Sequence, residues 1–151
     1  MKLKIHRPTI VMNRIGAAII DMFFISVLYG AIVAITTGNY KAILNRFNVS
    51  LGDIRYDLGL VCLLMALYFI VLPFIWNGYT PGKKFTRTKL VALTNEKLTL
   101  GILTMRFIVL LIPNILFLGI PIICNIYMML FRSDNSGYHD LIVKTRVISI
   151  V

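Results

Sequence analysis

Long stretches without ionised residues dominate this chain of 151 residues. Residues 58–75 and 107–131 contain no charged side chain, and the only one between Arg14 and Lys41 is Asp21. About 20 apolar residues in a helix cross the roughly 30 Å of hydrocarbon in a bilayer. A soluble domain of this size lacks the interior needed to bury a composition that is 58% hydrophobic. The runs therefore predict an integral membrane protein and exclude a water-soluble globular enzyme.

The apolar runs predict an all-α membrane domain with about four transmembrane helices. The last run is too long for one crossing, and it is interrupted by Pro113, Gly119 and Pro121, residue types that break or kink helices. We interpret it as two short helices that either cross the membrane twice or form a re-entrant hairpin. The four predicted segments are residues 15–36, 58–76, 102–118 and 120–131.

Lys and Arg are distributed unevenly among the connecting segments. Residues 1–14 and 77–101 are rich in them, whereas residues 37–57 hold fewer and also carry Asp. Because basic loops favour the cytoplasmic side, we expect a bacterial inner-membrane protein with its N-terminus and residues 77–101 and 132–151 in the cytoplasm. The formal charge of +10 then indicates orientation and attraction to anionic lipid headgroups. Nucleic-acid binding is not expected, since aromatic residues do not alternate with the basic ones as base stacking requires.

Short strands are expected on the cytoplasmic side. Residues 85–93 alternate polar and apolar side chains, residues 94–97 resemble a turn, and residues 98–100 are interpreted as a returning strand. The tail, residues 145–151, is rich in Val, Ile and Thr, which favour strands. Two or three such strands would form a small cytoplasmic β-cap.

Asp21 lies inside the first predicted membrane helix, where an ionised side chain costs about 3 kcal/mol. It should therefore face protein or water and have a partner. We expect that partner to be Arg106, which enters the third helix near its cytoplasmic end. One interpretation is a titratable carboxylate that exchanges a proton for a cation or couples to a substrate. The other is a buried ion pair that orients two helices.

A second carboxylate, Asp140, follows the last apolar run, where Arg14 at the cytoplasmic start of the first helix is able to reach it. Its neighbour His139 belongs to the residue type that titrates near neutral pH, although a His in a charged loop is usually just solvated. The two His and two Cys lack the spacing of a metal site, so no metal or cofactor is expected. No Ser-His-Asp set or pair of nearby carboxylates indicates a hydrolase, and we do not expect an enzyme.

The segment Gly78-Tyr-Thr-Pro-Gly-Lys83 follows the second predicted helix. A nucleotide-binding P-loop has four residues between its glycines and a Ser or Thr after the lysine, whereas this segment has three and Lys84. We interpret the stretch from Thr80 through Pro81 and Gly82 as a turn that ends the helix. Lys83 and Lys84 would then lie at phospholipid headgroups.

Four segments of the chain together resemble the RDD family, small prokaryotic membrane proteins named for one arginine and two aspartates. The resemblance covers nearly the whole chain, and the segments occur in the family's order. They are residues 13–21, 78–84, 105–106 and 139–147. By position, Arg14, Asp21 and Asp140 match the three naming residues, and the Thr80–Lys83 turn matches a flanking motif. The family often has Gly before its terminal Thr-x-Val motif, where this chain has Lys144.

The resemblance implies one of two functions. The first is transport of an unidentified ion or small solute, coupled to protons, with Asp21 as the carboxylate that loads and releases. Four short helices rarely enclose a path alone, so this hypothesis implies a homo-oligomer. The second is an accessory, regulatory or immunity-type protein that binds another membrane protein. In that case the pairs Asp21–Arg106 and Arg14–Asp140 would be structural clamps.

Overall fold

The structure is a computed structural model that describes residues 11–44, 49–93 and 97–150. The predicted cytoplasmic segment up to residue 10 and most of the predicted turn at 94–97 lie outside these ranges. The chain is mainly helical, with a 3-10 turn at Tyr40–Ile43 and two strands, β1 (Thr88–Ala92) and β2 (Thr145–Ser149). The α-helices are α1 (Val11–Thr37), α2 (Ile54–Ala66), α3 (Leu72–Ile75), α4 (Pro81–Phe85), α5 (Leu100–Leu116), α6 (Ile120–Phe131) and α7 (Tyr138–Ile142).

Within the described ranges, two helices are long and apolar enough to cross a membrane. They are α1, with 27 residues, and the continuous helix Ile54–Ile75, with 22. Both begin earlier than the sequence predicted. Large apolar side chains on both are exposed, for example Ile19 at 65% and Leu63 at 56%. Extended apolar surface of this kind marks contact with lipid or with another protein.

The second long helix changes its pitch between α2 and α3. Residues Leu67–Val71 are π-helical, and the N–H of Leu72 bonds to the carbonyl of Leu67. Pro73 follows, and in a regular α-helix its ring would meet the carbonyl four residues before it. The wider turn accommodates that ring, and it includes Tyr68, which is buried.

The last apolar run folds into α5 and α6, with bounds close to the two predicted helices. Pro113 lies inside α5 without ending it. The chain reverses instead at Leu118 and Gly119, whose φ angles are 49° and 87°. At 1.5 Å per residue, α5 and α6 are about 26 Å and 18 Å long, so both are shorter than the two long helices.

The two strands form one antiparallel sheet, in which Leu90 lies opposite Val147. Both side chains are buried and pack with Leu103 of α5. The sheet therefore joins the segment after the second long helix to the C-terminal tail. This confirms a small β-cap and a strand in the tail.

The predicted returning strand at residues 98–100 is wrong. Thr99 instead caps α5, its side chain accepting a hydrogen bond from the backbone of Ile102 across 3.3 Å, and Leu100 is the first helical residue. A Thr that satisfies a free N–H at a helix start favours the helix over a strand. Strand β1 therefore pairs with the tail and not with its neighbour in sequence.

The residue before β2 is Lys144, at the position where the resembled family often has Gly. Its φ of 51° lies in the left-handed region, which favours glycine. The turn nevertheless forms: the N–H of Lys144 bonds to the carbonyl of Leu141, and its own carbonyl accepts the N–H of Leu93.

Candidate functional site

Asp140 lies at the centre of a buried polar cluster that joins three helices. Its side chain is fully buried. Arg14 of α1 approaches Oδ2 at 2.9 Å, and Arg106 of α5 approaches Oδ1 at 2.8 Å. The expected contact between Arg14 and Asp140 is thus present. Burial alone would raise the pKa of Asp140, but the Arg106 and Arg14 charges outweigh it and hold the pKa well below its usual range.

The expected pair of Asp21 with Arg106 is wrong. Arg106 binds Asp140, and it also donates from Nη1 to Thr145 Oγ1 at 3.1 Å, which fixes the guanidinium beside α7 and β2. Within the described residues, Asp21 has no side-chain nitrogen of Lys, Arg or His within 4.0 Å. The similar expected depth of Asp21 and Arg106 in their helices was therefore insufficient to identify the partner of Asp21.

Three neutral donors surround the Asp21 carboxylate, which is 2% exposed. The hydroxyl of Tyr68 and the backbone N–H of Gly82 each donate to Oδ1 at 2.8 Å, and the hydroxyl of Thr80 donates to Oδ2 at 2.7 Å. These bonds connect α1 with the π-helical segment and with the start of α4. They offset much of the cost of placing a carboxylate inside the helix.

The sequence of the turn explains how it approaches Asp21. Thr80 caps α4, its Oγ1 accepting the N–H of Lys83 at 3.3 Å, and Pro81 occupies the first helical turn, where its missing N–H costs nothing. Gly82 is required, because a Cβ there would overlap the carbonyl oxygen of Ala17 and the carboxylate of Asp21. The predicted turn is therefore present, and its residues place a backbone N–H on the acid.

Lys83 differs from its neighbour Lys84 in exposure. Lys84 is exposed, but Lys83 is partly buried. Burial and the charge of Arg106 lower the pKa of Lys83 to about 7, against the opposing attraction of Asp21 and Asp140. Lys83 thus interacts electrostatically with both buried carboxylates, Asp21 and Asp140.

His139 is part of the Asp140 cluster, although a histidine in a charged loop was expected to be solvated. It is 4% exposed, and its Nε2 lies 3.0 Å from Nη2 of Arg106. Because Arg only donates, Nε2 must accept, and Nδ1 then carries the proton and donates to Asn125 Oδ1 at 3.2 Å. Burial and the Arg106 charge lower the pKa of His139 to about 3, in agreement with a neutral ring.

Asn125 connects α6 to this cluster. Its Oδ1 also accepts the backbone N–H of Tyr138 at 3.1 Å. A Cβ at position 137 would overlap that same oxygen, which accounts for the glycine there.

Sequence reasoning missed Tyr68 as a ligand of Asp21. The available signal was a hydroxyl-bearing residue within an otherwise apolar run. For His139, the signal was its place beside an acid that two arginines could reach.

Arg14 carries hydrogen-bonding groups that are buried but unused. Its Nη1 donates to the carbonyl of Asn135 at 2.6 Å as well as to Asp140, while Nε and Nη2 have no hydrogen-bond partner among the described residues. The two buried clusters and their surroundings contain three basic side chains, Arg14, Arg106 and Lys83, and two acidic ones, Asp21 and Asp140. Among the residues that the structure describes, no group of three His, Cys, Asp or Glu side chains is placed to hold a metal ion.

Comparison with known proteins agrees with the resemblance seen in the sequence. The family model described as the RDD family matches residues 8–144. A relative from Bacillus subtilis (strain 168), described as uncharacterized protein YckC, is 27% identical over 145 residues, which cover 96% of this chain and 87% of the relative. No solved structure matches.

Proposed function

The chain belongs to the RDD family, and from this premise we propose that it is a multi-pass membrane protein that transports an ion or small solute in exchange for protons. Asp21 is the residue to which we assign ion handling, and Lys83 is its proton-exchanging neighbour. The proposed location is the bacterial inner membrane, with both ends of the chain in the cytoplasm. We propose no cofactor, no catalytic activity and no nucleic-acid partner.

Pairing across the sequence supports an even number of crossings. Strands β1 and β2 bond to each other, and a two-stranded sheet lies on one side of a bilayer, which supports an even number of crossings by α5 and α6 together. The ion pair between Arg14 and Asp140 likewise supports a common side for the start of α1 and for α7. The basic segments at that side favour the cytoplasm. We therefore propose four crossings, the last two as a short hairpin.

The observation that carries the transport proposal is the difference between the two buried acids. Two guanidinium groups neutralise Asp140, whereas Asp21 is held by hydroxyl and amide donors without an ion-pair partner among the described residues. A carboxylate held by neutral donors keeps its negative charge available. It is able to bind a cation without first losing an internal salt bridge.

Lys83 provides a chemical route for the exchange. Near neutral pH its ammonium group both holds and releases a proton, because its pKa is about 7. A cation that reaches the Asp21 carboxylate repels the neighbouring ammonium and favours loss of its proton. The step converts a protonated Lys83 and an incoming cation into a neutral Lys83, a bound cation and a released proton, so the total charge is conserved.

The helices of one chain are too few and too short to enclose a path for the ion. We propose that copies of the chain associate through the exposed apolar faces of α1 and the second long helix, where Ile19 and Leu63 lie. Anionic lipid would surround the basic cytoplasmic side.

A second candidate is an accessory protein that binds and regulates another membrane protein. The observation that favours it is the way both buried clusters connect separate elements. The bonds to Asp21 join α1, the π-helical segment and α4, and those to Asp140 join α1, α5 and α7. Such contacts are also what a structural clamp requires.

Flux in liposomes separates the two candidates. Purified protein in liposomes that contain a pH-sensitive dye is challenged with Na⁺, K⁺ or Li⁺, and wild type is compared with Asp21→Asn. The Asn side chain keeps an oxygen for Tyr68 and Gly82 and offers its amide to Thr80 Oγ1, so the variant should fold. Asp134→Asn, at a more exposed acid, is the matched control.

We expect cation-dependent proton flux for wild type and for the control, and loss of flux for Asp21→Asn. Absence of flux from wild type across the three cations would contradict the cation-exchange form of transport. Equal flux in wild type and in a folded Asp21→Asn variant would remove Asp21 from the mechanism and favour the clamp.

A further inference from the structure

An open pocket lies where the second long helix ends. Its volume is about 420 Å³, and Trp76, Asn77, Tyr79 and Lys84 line it. Trp76, Asn77 and Tyr79 closely follow Ile75, the last residue of the apolar helix, and Lys84 lies in α4. Trp and Tyr are typical of the boundary between hydrocarbon and headgroups. The pocket is therefore at the depth of lipid headgroups if the helix crosses a membrane.

Two ammonium groups flank the aromatic rings of this region. Lys84 Nζ lies 5.7 Å from the ring centroid of Trp76, and Lys89 Nζ lies 5.1 Å from that of Tyr79. Each distance is within the range of a cation–π contact, which orients the ammonium group while leaving its N–H donors available. The rings thus hold positive charge beside the pocket.

The surroundings leave this charge without an acidic counterpart. The sequence contains no Asp or Glu in residues 58–93. No described carboxylate lies within 4.0 Å of Lys84 or Lys89. A negatively charged group is the ligand that such a pocket would attract.

We infer that the pocket formed by Trp76, Asn77, Tyr79 and Lys84 binds the phosphate of an anionic phospholipid. Lys84 would face the phosphate, and the amide of Asn77 would donate to its oxygens or to the headgroup. The inference rests on the proposed membrane location, and it does not depend on transport. It goes beyond general attraction of a basic loop to the membrane, because it assigns the headgroup to particular side chains.

The adjoining surface favours a lipid over free phosphate. Phe74 and Ile75, just before the pocket, are 44% and 63% exposed. A phospholipid would place its acyl chains along these side chains while its phosphate lies at Lys84. A soluble phosphate would leave that apolar surface uncovered.

Trp76 supplies the test, because it is the single tryptophan of the chain. The protein is placed in bilayers that contain brominated phosphatidylglycerol or brominated phosphatidylcholine, and quenching of Trp76 fluorescence gives the relative binding of the two lipids. The variants are Lys84→Gln, Lys84→Arg and Lys97→Gln. The last removes the same charge from an exposed position in the same loop.

We expect wild type to prefer the anionic lipid by about fivefold, the effect of about one lysine near an anionic surface. Lys84→Gln should abolish the preference, while Lys84→Arg and Lys97→Gln should retain it. Equal quenching by both lipids in wild type, or equal losses in Lys84→Gln and Lys97→Gln, would overturn the inference.

Two further outcomes test the lipid source and the premise. Glycerol phosphate added to phosphatidylcholine bilayers should leave Trp76 fluorescence unchanged, and a response equal to that of the anionic lipid would overturn the assignment to a phospholipid. Absence of quenching by either brominated lipid would contradict the membrane placement itself. A lack of ion flux with selective quenching would contradict transport alone and support the lipid site.

Discussion

Oδ1 of Asp21 lies 2.8 Å from the backbone nitrogen of Gly82, although 61 positions separate the two residues in the chain. This contact brings the start of α4 against α1. It requires a residue without a side chain, since a Cβ would overlap the carbonyl oxygen of Ala17. The family's turn motif and one of its two aspartates are therefore parts of one structural unit.

Replacing Gly82 by Ala should destabilise the protein through this contact. The added methyl group must displace the backbone of α1 or the carboxylate of Asp21, and overpacking of this kind costs about 1–3 kcal/mol. The measurement is the free energy of unfolding in detergent micelles. Gly59→Ala is the control, because a Cβ at position 59 meets no atom within 4 Å and Ala favours the helix. Similar losses in both variants would contradict the close approach at Gly82.

Asp140→Asn should be far more damaging than removal of a surface acid. It leaves the charges of Arg14 and Arg106 buried without a counterion, which costs about 3–5 kcal/mol. Asp134→Asn removes a partner of Arg132, whose side chain is 44% exposed, and should cost less than about 1 kcal/mol. Both values are measured as changes in the free energy of unfolding at pH 7. A small change for Asp140→Asn would contradict this prediction and show that the cluster is hydrated.

The sequence predicted the two long apolar helices well, because hydropathy and charge are properties of consecutive residues. The pair Arg14–Asp140 was also predictable, since both residues flank apolar runs on the same expected side. The partners of Asp21 were not, because the preference for ionic pairing suggested Arg106, while the structure satisfies the acid with a hydroxyl from Tyr68 and a backbone N–H. A backbone N–H is present in every residue except proline, so the sequence does not indicate which one will bind a carboxylate.

The sheet was only half predictable for a similar reason. Alternation predicted the first strand and the Val, Ile and Thr content of the tail predicted the second, but the choice of partner depends on the tertiary fold. Strand β1 pairs with the tail because α5, α6 and α7 return the chain to the same place, where Leu90, Leu103 and Val147 share a small core. Local reasoning selected the nearest candidate in sequence, residues 98–100, which the cap of α5 excludes.

His139 should make stability depend on pH between about 6.5 and about 3. Its pKa in the folded protein is about 3, below the ordinary 6.5, so the unfolded chain binds a proton first as the pH falls. The stability that the neutral His139 ring contributes is therefore fully present above pH 6.5. It decreases below that pH, and about 2 kcal/mol is lost at pH 5. His139→Gln, which is able to bond to both Arg106 and Asn125, should lose this dependence. A flat profile in wild type would contradict the neutral, buried ring.

The turn between α5 and α6 should face the side of the membrane opposite to the C-terminal tail. Leu118 is 94% exposed there. In a background with Cys62→Ala and Cys124→Ala, we expect Leu118→Cys to react with a membrane-impermeant maleimide in intact cells, as Ser50→Cys should. Ser133→Cys should react only after permeabilisation. Reaction of position 118 solely under the latter condition would contradict two crossings by α5 and α6.

Lys83→Arg should separate proton exchange from folding. Burial and the charges of Arg106 and Arg14 lower the pKa of Lys83 to about 7, against the opposing charges of Asp21 and Asp140. Exchange requires both the charged and the neutral form, so flux should change most steeply with pH near 7. Arginine stays protonated, and flux should fall by about a hundredfold, the low end of what a positioned proton carrier contributes.

Conservative variants distinguish this loss from misfolding. Lys84→Arg, at the exposed neighbouring position, should retain wild-type flux and its pH profile. Lys83→His restores a group that titrates and should recover part of the flux with a shifted profile. If a folded Lys83→Arg variant kept the wild-type flux and pH profile, Lys83 would not be the group that exchanges the proton.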